Sequence, residues 1–288
     1  MTSASTSEKA RFAAALSKSR DTQAAIDAVC AEVRAQLSSP ADLAVVFASP
    51  HHAGQLEQAA GAICDRLGTQ NLLGCSGESI VGGATEVEGE PALSLWAASM
   101  PGTTVRPMRL EFENTPEGPA FSGWPDDLSA SCPAGAALIL LADPYTFPAD
   151  VLLARLNQEH PGLPILGGMA SGTGPGEDKL VMGPRVLSNG AVAVLIHGAV
   201  RMRSLVSQGC RPIGRPLVVT KAEQNIILEL GGLPAMARLQ EVYATLTPDE
   251  QAMLRQGLHV GSVLSEYQET FSRGDFLIRN VIGADPDA

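Results

Sequence analysis

A thiol and a hydroxyl stand side by side in Gly74-Cys75-Ser76-Gly77, and either becomes a nucleophile only if a base lies beside it. The spacing is not Gly-x-Ser-x-Gly. No helix signal follows it, whereas a nucleophile elbow needs a strand-to-helix turn. A ligand-lining turn is the favoured reading, with plain tight packing close behind, because glycine admits another group close to the backbone. His51-His52 directly follows an apolar run, at the kind of strand end where α/β folds gather ligands. Neighbouring side chains diverge, so at most one of the two imidazoles faces a pocket; His51 is carried as the candidate against a plain surface helix start. Tyr145-Thr146 holds the corresponding place farther along. Arg211 suits bidentate capture of a carboxylate, whereas Arg279 serves a structural pair with Asp275 equally well. Gly172-Thr173-Gly174-Pro175-Gly176 lacks Gly-Lys-Ser/Thr and leads into a strand pattern, so it reads as a flexible loop and not as a phosphate cradle. His160, beside Pro161 at a helix end, reads as structural.

The elements that position these residues alternate. Asp21 caps a helix with Ile26, Val29, Val33 and Leu37 at helical spacing, and Leu43 to Ala48 reads as a strand buried on both faces. A second helix starts near Pro50, turns Leu56, Ala60, Ile63 and Leu67 inward, and stops at Gly68. Asn71 to Cys75, a glycine turn and the strand Ala92 to Ala97 follow. Thr103 to Phe112 alternates as a strand with one wet face, and Glu113 to Pro133 reads as a connector.

The pattern then starts again. Ala137 to Ala142 precedes Asp143-Pro144 as Leu43 to Ala48 precedes Ser49-Pro50, with the two prolines 94 positions apart. A helix carrying Leu152 and Leu156 follows. Ile165-Leu166-Gly167-Gly168-Met169 matches Leu72-Leu73-Gly74-Cys75-Ser76, the first glycines being 93 apart, and Ala191 to Ile196 matches Ala92 to Ala97. The expectation is an α/β chain with two pseudo-repeated strand-helix-strand-strand units, about 43–100 and 137–198, inside an N-terminal module over 12–202. A smaller α+β module over 203–288 completes it: a hairpin around Glu223-Gln224-Asn225, a helix from Pro234, a capping box at Thr247-Pro248-Asp249-Glu250, and strands over 258–264 and 276–282.

Composition narrows the function classes. With 45% hydrophobic and 18% charged residues, the 288-residue chain is globular over most of its length. Its net charge of -11, with four dispersed lysines, argues against nucleic acid and anionic lipid. The longest apolar stretch, Ala134 to Ala142, falls far short of the ~20 residues of a membrane helix. Five cysteines without ligand spacing suggest reduced thiols, with no metal site, and no targeting segment is evident, so a cytoplasmic protein is expected.

The chain resembles the FIST proteins (F-box and intracellular signal transduction), in both their N-terminal and C-terminal modules. The matching stretches are residues 42–52, 73–78 and 86–95, then 209–214, 219–230 and 273–280. The C-terminal module looks shorter than the family's, as in a natural short form or a truncation. The resemblance implies a small-molecule sensing module of signalling proteins, with no established reaction. It also raises haem as a cofactor, since some members are thought to be haem-based gas sensors, with His51 the imidazole to weigh. The leading reading is therefore a sensor for a small polar metabolite such as an amino acid, possessing ligand-binding residues His51, Gly74, Cys75, Ser76, Tyr145, Gly167, Gly168 and Arg211. A haem-based gas sensor, a hydrolase or transferase using Cys75 or Ser76, and a protein-interaction scaffold remain alternatives; a signalling output protein is the expected partner, and the oligomeric state is left open.

Overall fold

The computed structural model describes residues 9–37, 39–116, 118–129, 132–203, 210, 212–263, 276–281 and 283. It divides into two compact units, Met1–Ser204 and Leu205–Ala288. The first unit opens with β1 (Arg11–Ser17), α1 (Thr22–Leu37), β2 (Leu43–Ala48), a 3-10 turn over Pro50–Gln55, α2 (Leu56–Leu67), β3 (Leu72–Ser76), the hairpin β4 (Ser79–Gly82) and β5 (Thr85–Glu88), and β6 (Leu93–Ser99). It continues with β7 (Thr103–Thr115), β8 (Gly118–Ser122), α3 (Asp126–Ser129), β9 (Ala137–Ala142), α4 (Ala149–Glu159), β10 (Ile165–Met169), the hairpin β11 (Leu180–Met182) and β12 (Arg185–Leu187), and β13 (Ala191–Gly198).

These strands form two main sheets. The first has the order β1-β6-β2-β3-β11-β12 and the second β10-β9-β13-β7-β8. In the first, β2 and β3 run parallel, β6 lies antiparallel to β2 and β1 antiparallel to β6. In the second, β9 and β10 run parallel, β13 lies antiparallel to β9 and β7 antiparallel to β13. The two halves thus share strand order and direction, and each carries a further antiparallel strand ahead of the expected unit.

Packing follows from alternation along each strand. Ala44, Val46, Leu93 and Leu95 face α1 and α2, whose buried stripe includes Ile26, Val33, Ile63 and Leu67. Leu138, Leu140, Ala193 and Leu195 face Leu152 and Leu156 of α4. The opposite faces meet each other, with Leu43, Val45, Leu73 and Cys75 of the first sheet packed against Leu141, Val192, Val194 and Ile196 of the second. The result is four layers, helix, sheet, sheet and helix. Local signals set the helix ends: Asp21 Oδ1 accepts from Ala24 N–H at 2.7 Å, and Gly68 closes α2 at φ 65°.

The structure adds one strand and corrects two sequence expectations. The apolar run at Phe12–Leu16, assigned to no element from the sequence, lies in strand β1, where seven residues pair with β6. The stretch read as a connector contains β8 and α3, which bring Phe121 and Leu128 to the second core. Gly74, Gly167 and Gly168 lie within β3 and β10 and not in turns after them. A Cβ on Gly74 would collide with the Val46 carbonyl oxygen, and one on Gly167 with that of Leu140, so parallel pairing itself requires these glycines.

The second unit contains β14 (Val219–Glu223), β15 (Ile226–Leu230), β16 (Leu233–Pro234), α5 (Ala235–Thr245), α6 (Pro248–Gln256), β17 (His259–Val263) and β18 (Phe276–Asn280). Its hairpin turns at Gln224, φ 52°, and the Thr247–Glu250 capping box forms as the sequence suggests. None of its described residues is buried.

Candidate functional site

The carboxyl ends of the parallel strands of both halves meet in one seam. Gly77 N–H donates to Ala48 O at 3.0 Å, joining the ends of β2 and β3. Ala170 N–H donates to Ala142 O at 2.8 Å, joining those of β9 and β10. Ser171 bridges the two pairs: its N–H donates to Ser76 O at 3.2 Å, and its hydroxyl accepts from Glu78 N–H at 3.1 Å. Gly172, at φ 99°, sits against Pro50 and Glu78 where a Cβ would not fit. The following loop is pinned by buried Asp178, whose Oδ1 accepts from Thr173 N–H at 3.0 Å and Thr173 Oγ1 at 2.7 Å. The expectation of a slack glycine loop is therefore replaced by a braced crossover.

Residues singled out from the sequence sit at different depths around this seam. Cys75 is buried between the sheets, and burial pushes its thiol up to about 12, with the nearby Asp178 charge adding to the effect. It stays protonated near neutrality and is a poor nucleophile. Ser76 is buried too; its Oγ accepts from Lys179 N–H at 3.0 Å while its own N–H donates to Lys179 O. His51 is exposed, with Nδ1 at 3.4 Å from Ser49 Oγ. Its neighbour His52 is the enclosed imidazole: Nδ1 lies 2.9 Å from Thr22 Oγ1, Nε2 is buried without a partner among the described residues, and burial holds the ring's pKa below its usual value. Tyr145 is 57% exposed on the turn after β9, and Gly168 has open space where a Cβ would stand. Arg211 lies outside the described residues, as does Asp275.

Haem does not fit these residues. His52 offers no open edge to a metal, and His51 stands on an exposed turn and lines no described cavity. One cleft of about 630 Å³ opens at the other, amino-terminal end of β9, among Ala136, His160, Leu163, Val200 and Met202, and none of the expected residues lines it. His160 is buried there with its ring stacked on Trp124 at 5.8 Å.

Sequence reading passed over Asp143, noticed only as the residue before Pro144. It directly follows β9, is fully buried, and its Oδ1 accepts from Tyr145 N–H at 3.2 Å, Thr146 N–H at 2.9 Å and Thr146 Oγ1 at 2.6 Å. Thr146 Oγ1 accepts in turn from Gly190 N–H at 2.9 Å. Oδ2 is buried with no partner among the described residues. In the first half the corresponding residue is Ser49, whose single oxygen is satisfied by Ala92 N–H at 2.9 Å. The signal was present as an acid where the first half has a hydroxyl.

A family model, the FIST N domain, matches residues 42–233, two thirds of the chain and the whole seam. The chain belongs to the FIST family. The FIST N domain is a sensory domain class of signal transduction, and its match here runs past the first unit into the β14–β16 sheet. Among relatives, an uncharacterized protein of Mycobacterium tuberculosis is 38% identical over 279 residues, spanning 96% of this chain and 71% of its own length. An uncharacterized protein of Mycobacterium bovis is 38% identical over 266 residues, 92% of this chain and 67% of its own. No helix among the described residues of this FIST protein is long and apolar enough to cross a membrane.

Proposed function

We propose that this FIST protein is a sensory module that binds a small polar metabolite bearing a protonated amine, such as a free amino acid, at the carboxyl ends of β9 and β10. The observation that carries this reading is the second carboxylate oxygen of Asp143. A buried carboxylate with one oxygen unsatisfied is costly, and an ammonium N–H donor that reaches it by displacing the exposed Tyr145 turn relieves that cost with a charge-assisted hydrogen bond. Tyr145 beside it and the bare surface of Gly167 and Gly168 suit close approach of a ligand to backbone. The protonated Cys75 and the bonded Ser76 favour sensing over nucleophilic chemistry.

The test is calorimetry and thermal shift of the full chain against the free amino acids and simple amines. A ligand at 100 times its dissociation constant should add about 2.7 kcal/mol of stability. Asp143→Asn retains an acceptor for Tyr145 and Thr146 and removes the charge, so it should stay folded and weaken binding at least about tenfold, or ~1.4 kcal/mol. Unchanged affinity in that variant, or no response to any amine, would overturn the reading.

A further inference from the structure

One sheet edge is covered in the first half and, among the described residues, uncovered in the second. On β3, β11 lies antiparallel with Leu180 opposite Cys75, Val181 opposite Gly74 and Met182 opposite Leu73. Ser76 N–H donates to Lys179 O at 2.9 Å and Gly183 N–H to Leu72 O at 2.7 Å, so β3 spends the outward groups of Leu72, Gly74 and Ser76 on this partner. β10 holds the corresponding place beside β9 and ends the second sheet. Leu138 N–H donates to Pro164 O and Ala170 N–H to Ala142 O, so by alternation Ile165, Gly167 and Met169 aim their backbone groups away from β9. These groups have no partner among the described residues.

Chain length explains the asymmetry. Residues 170–179 are enough to carry the chain from β10 across to β11 on the other sheet. Only Gly77 and Glu78 link β3 to β4, and the three steps from Ser76 to Ser79 reach at most about 11 Å. That is used up by the roughly 10 Å between packed sheets. β4 accordingly folds back on its own half, burying Ile80 with Val87 and Ala92 against Leu16 and Phe47. Pairing with β10 as β11 pairs with β3 would set Ser79 opposite Gly168 and turn Ile80 toward α4, out of the cluster that now holds it.

β13 packs on β3 and β11, and Trp96 packs with Ile139 and Leu141 of β9, so β10 extends toward the β6 and β1 side of the first sheet, where there is an apolar floor. Phe12, Ala14 and Trp96 share the face of β1 and β6 that turns toward the second sheet, and Ala14 and Phe12 are exposed, Phe12 by 54%. The Phe12 and Trp96 rings stack at 5.9 Å. Natural edges are blunted by lysine, proline or bulges, and Ile165-Leu166-Gly167-Gly168-Met169 carries none of these.

We propose that the free edge of β10 is a strand-addition site for an extended peptide segment of a partner protein. The segment lies antiparallel on Ile165–Met169 and sets apolar side chains of alternate residues on Phe12 and Trp96. Its chemistry is that of β11, which fills the corresponding edge with Leu180, Val181 and Met182. A second copy is the poorer occupant: its own β10 would offer glycines where the aromatic floor calls for side chains. The site borders the amine site at Gly167 and Gly168, and it differs in using the outward backbone and the aromatic surface and not the Asp143 carboxylate.

The probe is a fluorescein-labelled peptide copying Asp178–Gly183, titrated into the full chain by anisotropy. Saturable binding is expected. N-methylation at Val181, whose N–H faces the edge, should weaken it at least tenfold; N-methylation at Met182, whose N–H faces away, should change it less than twofold. Phe12→Asp, at an exposed position, should weaken binding at least fivefold with the fold intact by circular dichroism, and Asp143→Asn should leave it unchanged. No binding, insensitivity to the Val181 methyl, or a dimer in sedimentation that excludes the peptide would overturn the proposal.

Discussion

Single residues in this molecule acquire their meaning from what encloses them. His51 and His52 are adjacent in sequence, yet one is exposed and the other is buried on Thr22. Burial holds His52 below its ordinary pKa, so the folded chain resists protonation that the unfolded chain accepts. The unfolded state therefore binds more protons below about pH 6.5, and stability falls as pH drops through that value toward the lower folded pKa. Urea midpoints measured from pH 7.5 to 5.5 should decline, and His52→Gln should flatten the slope whatever its own stability. An unaltered slope in the variant would place the proton uptake elsewhere. Cys75 and Ser76 show the same dependence on surroundings, since the nucleophile-like pair is spent on core packing and on the Lys179 backbone.

At the scale of elements, the glycines of β3 and β10 separate two roles that look alike in sequence. Gly74 faces the Val46 carbonyl with no room for a Cβ, whereas Gly168 has open space. Gly74→Ala should destabilise by at least about 2 kcal/mol, as overpacking against rigid backbone does. Gly168→Ala should stay within about 0.5 kcal/mol. Denaturant midpoints of the two variants check this, and equal losses would mean that both positions are packed alike. Helix ends were readable for local reasons: Asp21, Gly68 and the Thr247 box act within four residues of themselves. β1 was not readable, because the alanines of Phe12-Ala13-Ala14-Ala15-Leu16 carry little strand preference and only the pairing with β6 makes them a strand.

At the scale of the whole molecule, the two units differ in core. Among the described residues the buried apolar clusters lie in the first unit, and none of the second is buried. The second unit should open first, so unfolding should not be a single all-or-none transition. Both tryptophans, Trp96 and Trp124, lie in the first unit and report on it alone, while far-ultraviolet dichroism reports on both. The fluorescence transition should come at higher urea than the first dichroism transition. Coincident curves would show that the units unfold as one.

The sequence by itself determined the alternation of helices and strands, the restarting pattern at an offset of 93 to 94, the caps, and the family. Each rests on spacing within a few residues or on self-similarity, and both are written along the chain. The tertiary structure alone decided which strand edges pair. It sent the 170–179 crossover to β3, enclosed His52 and not His51, and among the described residues left the outer edge of β10 and one oxygen of Asp143 without a partner. Those outcomes depend on how far a link can reach between two packed sheets and on which polar atoms the closing layers cut off from water. No local pattern of apolar and polar residues carries that information.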